Sequence, residues 1–280
     1  MLGAIIGDMV GSVYEFHPIK RKDFNLFNLR NRMTDDSLLT IAVAKVLMKH
    51  YPIKYDEESL IAIQKDLADE FVDIWRHHPG AGFGGMFFQW CEKASNGLIE
   101  PYNSYGNGSA MRISPVAWIA NSEEELKILS KTVTDITHNH PEGEKGAEAV
   151  AMCIYMALHG SSKEKIKQRM IKEYYPEIAN LDFNELVRTY RFSEICQKSC
   201  PQAIYCFLIS DDLEDAIRNC VAIGGDCDTT GAMAGAIAEA YYQKDKLSSF
   251  EDRFLYMMID PNVEKLIRDF HKMIGSEKFK

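Results

Sequence analysis

Two acidic clusters far apart in the chain carry the residue types best suited to chemistry. Thr34, Asp35, Asp36 and Ser37 run consecutively, and Asp226 and Asp228 sit two apart in the glycine-led run Gly224-Gly225-Asp226-Cys227-Asp228-Thr229-Thr230. Adjacent aspartates at a helix start are, taken alone, ordinary capping groups. The second cluster is harder to explain that way, because tiny residues follow it: Gly231, Ala232, Ala234, Gly235, Ala236, Ala238 and Ala240. Such a run belongs on a helix packed deep on several sides. Carboxylates carried into a core are costly unless paired or bound to metal. Residues 219–243 contain no Lys or Arg, and residues 31–44 contain only Arg32. Asp35, Asp36, Asp226 and Asp228 therefore point to two divalent cations, and oxygen ligands with threonine hydroxyls nearby suit Mg²⁺ or Mn²⁺ better than zinc.

Three further segments are unlike packing material. Gly3, Gly7 and Gly11 recur every four residues and would form one smooth helix stripe, for close backbone approach or simply tight helix packing. Glu15 follows that stripe in apolar surroundings, which raise a carboxyl pKa and suit it to acid or base work. Ser104-Tyr105-Gly106-Asn107-Gly108 precedes a helical pattern, so its bare amides suit a phosphate and Tyr105 suits stacking on a ring; a routine turn reads the same way. Thr137-His138-Asn139-His140-Pro141 opens another helix, either as a capping turn or with His138 donating to a ligand. His77 and His78 read as solvent-exposed.

The elements that must position these groups read as helices almost throughout. Apolar residues at helical spacing follow Thr34, a candidate N-cap, and recur over 57–76, 122–136, 143–159, 163–173, 183–197, 201–209, 212–223, 230–242 and 261–274. Residues 16–33, 77–85 and 98–108 look least helical, and Pro115 is expected to kink or end the helix after Gly108. No linker, repeat or low-complexity tract divides the chain, so the expectation is an all-α fold in one domain, 1–280.

The 280 residues carry a formal charge of −9, which argues against a nucleic-acid partner. Apolar runs such as Val150–Leu158 are too short to span a membrane, and Asp8 interrupts the apolar start before any basic residue, unlike a signal peptide. Seven cysteines without a C-x-x-C pair argue against disulfides or a thiolate zinc site and for the cytoplasm.

In order and in motif, from Gly3 to Tyr242, the chain resembles the ADP-ribosylglycohydrolase family, typified by dinitrogenase reductase-activating glycohydrolase. The resemblance implies an all-α domain with a binuclear Mg²⁺ or Mn²⁺ centre in a cleft. Thr34, Asp35, Asp36, Asp226, Asp228 and Thr229 match the family's metal ligands. Glu15 matches its acidic residue near the scissile bond and, with Asp36, is the expected catalytic pair. Ser104, Tyr105, Gly106, Asn107, Gly108 and His138 match its ADP-ribose contacts. Ser37 stands where Thr is frequent, Cys227 fills a variable slot facing away from the ions, and Glu239 replaces a usual Gly or Ala.

The implied reaction is hydrolysis between C1″ of ADP-ribose and an acceptor on a protein or small molecule, by a monomer. The alternatives are a bimetal phosphohydrolase cutting the pyrophosphate and a non-catalytic ADP-ribose binder or immunity partner. Loops 16–33 and 77–100 would read the acceptor, whether arginine, serine, a nucleic-acid end or an O-linked ester.

Overall fold

The computed structural model describes residues 1–279. Among them there is no sheet, and one isolated antiparallel bridge joins Gly106 to Ile195. The helices in chain order begin with α1 (Leu2–Gly11), α2 (Asp35–Lys49), α3 (Glu57–His77), α4 (Gly85–Ala94) and α5 (Gly108–Met111). They continue with α6 (Ser114–Ile119), α7 (Glu123–Thr134), α8 (Pro141–Leu158), α9 (Lys163–Glu173) and α10 (Phe183–Thr189). The last five are α11 (Cys196–Leu208), α12 (Leu213–Ile223), α13 (Cys227–Tyr242), α14 (Ser249–Met258) and α15 (Pro261–Met273).

Composition dictates which helices lie inside. Every residue of α1 is buried, as is every α13 residue from Cys227 to Ala240, in keeping with helices that are apolar or tiny all round. α1, α2, α5, α8, α11 and α12 all pack on α13. Outer helices bury only a stripe: α3 turns Ile63, Leu67, Phe71 and Ile74 inward at three- and four-residue spacing. Side chains of Thr34, Asp56, Ser122, Asp212 and Ser248 cap the helices they precede, satisfying amides that a helix leaves unpaired at its start.

The helix expected over 183–197 is broken. It ends at Thr189, residues 190–195 form an extended strap, and α11 then runs through Pro201. Proline inside a helix loses a hydrogen bond, but Cys196 and Cys200 pack against bare Gly146 of α8 and Cys196 N–H donates to Tyr105 O at 3.0 Å, so tertiary contacts override the local preference. α4 and α14 had no counterpart in the sequence pattern. Pro115 lies in the first turn of α6, α5 having closed at Met111. All seven cysteines are buried and free, and among the described residues no helix is long and apolar enough to cross a membrane.

Candidate active site

The site grows from the crossing of α1 and α13. The two run antiparallel with glycines facing glycines: a Cβ on Gly7 would stand 2.0 Å from Gly231 O, one on Gly3 2.3 Å from Gly235 O, and one on Gly11 2.3 Å from Cys227 O. No side chain fits such gaps, so the stripe is a packing device. That packing sets the register that brings Asp8 of α1 alongside Asp228 of α13. Carboxylate oxygens of Asp8, Asp36 and Asp228 lie within 4.8 Å of one another, and so do those of Glu15, Asp226 and Asp228.

The N-termini of α2 and α13 both open here, so the positive ends of two helix dipoles face the acidic groups. Gly224 and Gly225, at φ +68° and +77°, turn the chain sharply into α13. Asp226 holds the N-cap position of α13 yet makes no capping bond; its Oδ2 accepts instead from Asn107 Nδ2 at 2.6 Å. Thr229 N–H donates to Asp228 Oδ1 at 2.9 Å, and Thr229 Oγ1 reaches Asp36 Oδ2 at 3.3 Å. Asp36 Oδ1 is buried without a partner. Asp8 accepts from Thr34 N at 2.9 Å, Thr34 Oγ1 at 2.7 Å and Ser37 N at 3.1 Å, and from the Ser37 hydroxyl. Burial, then repulsion from Asp228, pushes Glu15, Asp8, Asp36 and Asp226 above the ordinary carboxylate range. Burial, then Asp8, does the same to Asp35. Among the described residues no Lys or Arg side chain forms an ion pair with these carboxylates, and a set of oxygen donors of this kind suits hard divalent ions.

Glu15, Asp35, Asp36, Asp226 and Asp228 line a cleft of about 410 Å³ together with Arg32, Phe87, Tyr102, Arg112, His138 and the 104–108 loop, within the range of small-molecule sites. Strap 190–195 braces this loop. Asn107 N–H donates to Glu194 O at 2.8 Å, while Tyr190 packs against Gly225 and the Lys20 ammonium donates to Tyr190 O. Gly106 N–H is taken by Ser104 Oγ at 3.1 Å, so two of the loop's amides are engaged within the protein rather than bare. Tyr105 is exposed at the rim, its ring 5.1 Å from that of His140. His140 caps α8 through Nδ1, which leaves His138 as the histidine of the pair that lines the cleft.

The ADP-ribosylglycohydrolase family profile matches residues 1–272. The chain belongs to that family. ADP-ribosylhydrolase ARH3 of Homo sapiens is 24% identical over 318 residues, covering 88% of this chain and 85% of its own. ADP-ribosyl-[dinitrogen reductase] glycohydrolase of Rhodospirillum rubrum is 23% identical over 272 residues, covering 89% and 86%. ADP-ribosylarginine hydrolase Tri1 of Pseudomonas putida (strain GB-1) is 24% identical over 267 residues, covering 86% and 69%. A solved chain described as an ADP-ribosylglycohydrolase-related protein complex shares the fold, with a TM-score of 0.71 at 22% identity over 98% of this chain and 97% of that one.

Within this family member, Glu15, Thr34, Asp35, Asp36, Ser104, Tyr105, Gly106, Asn107, Gly108, His138, Asp226, Asp228 and Thr229 all border one cleft. Asp228 and Thr229 stand in the first turn of α13 rather than in the loop before it. Asn107 turns its amide to Asp226, which ties the loop to the acidic cluster. Cys227 points to Gly11 O, away from the cleft. Asp8 was missed, although an aspartate inside an otherwise apolar helix was the visible signal. Arg112 also lines the cleft and donates to Thr137 Oγ1, a pairing of residues from two separate sequence motifs that spacing does not reveal.

Proposed function

We propose that this cleft hydrolyses the glycosidic bond between C1″ of ADP-ribose and an acceptor on a protein or small molecule, with two divalent cations, Mg²⁺ or Mn²⁺, as cofactors. The observation that carries the reading is the buried carboxylate set, with Asp36 Oδ1 unpartnered, beside Glu15 in the cleft. Thr34, Asp35, Asp36, Asp226, Asp228 and Thr229 would hold the ions, with Asp8 fixing Thr34 from behind. Bound ions of this kind polarise ligand oxygens and lower the pKa of water. Glu15, half-buried with a carboxylate oxygen within 4.8 Å of those of Asp226 and Asp228, is placed to exchange a proton with the departing acceptor or the attacking water. Asp36 orients the reacting end, and the 104–108 loop with His138 holds the pyrophosphate, so binding remote from C1″ aligns the reacting atoms. The relatives' names, which specify removal of ADP-ribosyl groups, support the same reaction.

Arginine- and serine-linked ADP-ribosyl peptides, incubated with Mg²⁺ or Mn²⁺, test the reading. Free ADP-ribose is expected from at least one linkage, and a chelator is expected to stop its release. AMP with ribose phosphate as products, or binding without turnover, would overturn it.

A further inference from the structure

We infer that Arg112 and Thr137 are positioning residues that set the tautomer of His138, so that its Nε2 carries the hydrogen and presents it to the cleft. Only the identity of the acceptor, a phosphate oxygen of ADP-ribose, rests on the functional reading above.

The chain of donors starts at Arg112, which is fully buried with its guanidinium 4.6 Å from the Phe71 ring centroid. Its Nη2 donates to Thr137 Oγ1 at 2.7 Å, while Nε and Nη1 find no partner among the described residues. A guanidinium has donors alone, so Thr137 Oγ1 accepts there and its one hydrogen must go elsewhere. His138 Nδ1 lies 2.7 Å from that oxygen, whereas Thr134 O lies 3.5 Å away. The shorter contact takes the hydrogen, and Nδ1 is therefore an acceptor. A neutral imidazole that accepts at Nδ1 carries its hydrogen on Nε2. Burial, reinforced by the charge of Arg112, holds His138 well below its usual pKa and so keeps the ring neutral.

Nε2 faces the loop across two missing side chains. A Cβ on Gly108 would stand 3.1 Å from it, and one on Gly106 3.7 Å. An anionic oxygen seated on the loop thus meets an N–H. The opposite tautomer would turn a lone pair toward it and repel it. A buried guanidinium is expensive when incompletely bonded, and the single hydrogen bond that the Arg112 guanidinium makes among the described residues goes to the hydroxyl that orients His138.

Nitrogen-15 NMR of histidine-labelled protein reads the tautomer directly. The wild type is expected to show His138 with hydrogen on Nε2 and bare Nδ1. Thr137→Val keeps the shape without the hydroxyl and is expected to give a mixture of tautomers; Thr137→Ser is expected to restore the wild-type pattern. Hydrogen on Nδ1 in the wild type, or an unchanged spectrum in Thr137→Val, overturns the proposal. Should Thr137→Val fail to fold by circular dichroism, the wild-type and Thr137→Ser spectra decide alone. ADP-ribose affinity, by calorimetry, is expected to fall about fivefold in Thr137→Val, the worth of about one hydrogen bond, and to recover in Thr137→Ser. Equal affinity in Thr137→Val overturns the presentation of Nε2 to the ligand. If the wild type binds no ADP-ribose, the functional reading of the cleft fails and the tautomer result stands apart from it.

Discussion

Asp36 concentrates the conflict in the site: buried beside Asp8, Asp35, Asp226 and Asp228, with one oxygen unpartnered. An isosteric amide relieves that repulsion and removes an anionic ligand in one step. Asp36→Asn is therefore expected to raise the stability of cation-free protein by about 1 kcal/mol or more, from the lost desolvation and repulsion of one buried charge, while abolishing release of ADP-ribose. Denaturant titration in chelator checks the first expectation and product assay the second; a cation-free variant less stable than wild type would count against a repulsive cluster. Asp8 acts differently. With its oxygens taken by four donors from Thr34 and Ser37, it orients a ligand segment instead of offering free lone pairs. Asp8→Asn places an NH₂ against those donors, and cation affinity, measured by calorimetry with Mn²⁺, is expected to drop about 10- to 100-fold. The paired aspartates were legible because their type and spacing had no comfortable bland explanation. Asp8 was less so, because a lone charge in an apolar helix carries no spacing to read.

The pairing of α1 with α13 is where an element does the positioning. Gly7 admits no Cβ, since the obstruction at 2.0 Å is backbone of Gly231. Gly7→Ala must push the helices apart, at a cost of about 1–3 kcal/mol or more, and with them Asp8 from Asp228. Both the unfolding midpoint and Mn²⁺ affinity are expected to fall together; a loss of stability with full affinity would show that the register does not set the site. At the other end of this pair, Glu239 Oε2 accepts from the Met1 amino group at 2.5 Å and Gly3 N–H at 2.8 Å, and Lys278 lies 3.2 Å from Oε1. His271 Nε2 stops 3.9 Å short of Glu239. Burial pulls the His271 pKa down to about 3, so between pH 6.5 and 3 the unfolded chain binds the proton that the folded one refuses. Stability contributed by the neutral ring is complete above pH 6.5 and lost as pH falls, at about 1.4 kcal/mol per unit. His271→Phe retains an aromatic ring, and the difference between its denaturation curves and the wild type's should shrink along that slope. Periodicity exposed most helices but not the strap at 190–195, whose place is dictated by contacts with Gly106 and Gly225 remote in sequence.

At the scale of the molecule, the acidic ends of the chain meet across one hydrophobic core that draws on residues from Met1 to Phe270. The formal charge of −9 is therefore uneven: part of it is solvated surface, and part is the buried set around Asp36 and Asp228 with which no lysine or arginine among the described residues forms an ion pair. Ions seated there would join α2, near the start, to α13, near the end. Their binding free energy would then add to the stability of the entire fold, because the unfolded chain holds no such cluster. At cation concentrations near 100 times Kd the gain is about 2.7 kcal/mol per site, roughly 5 °C or more in Tm at this size. Scanning calorimetry in chelator and then in rising Mn²⁺ is expected to show one transition, moving upward as a unit for a single domain over 1–280. A transition that split, with one part indifferent to Mn²⁺, would mean that the two acidic segments belong to separately folding units. The same titration on Asp36→Asn should leave the midpoint nearly still, which ties the shift to this cleft and not to surface carboxylates.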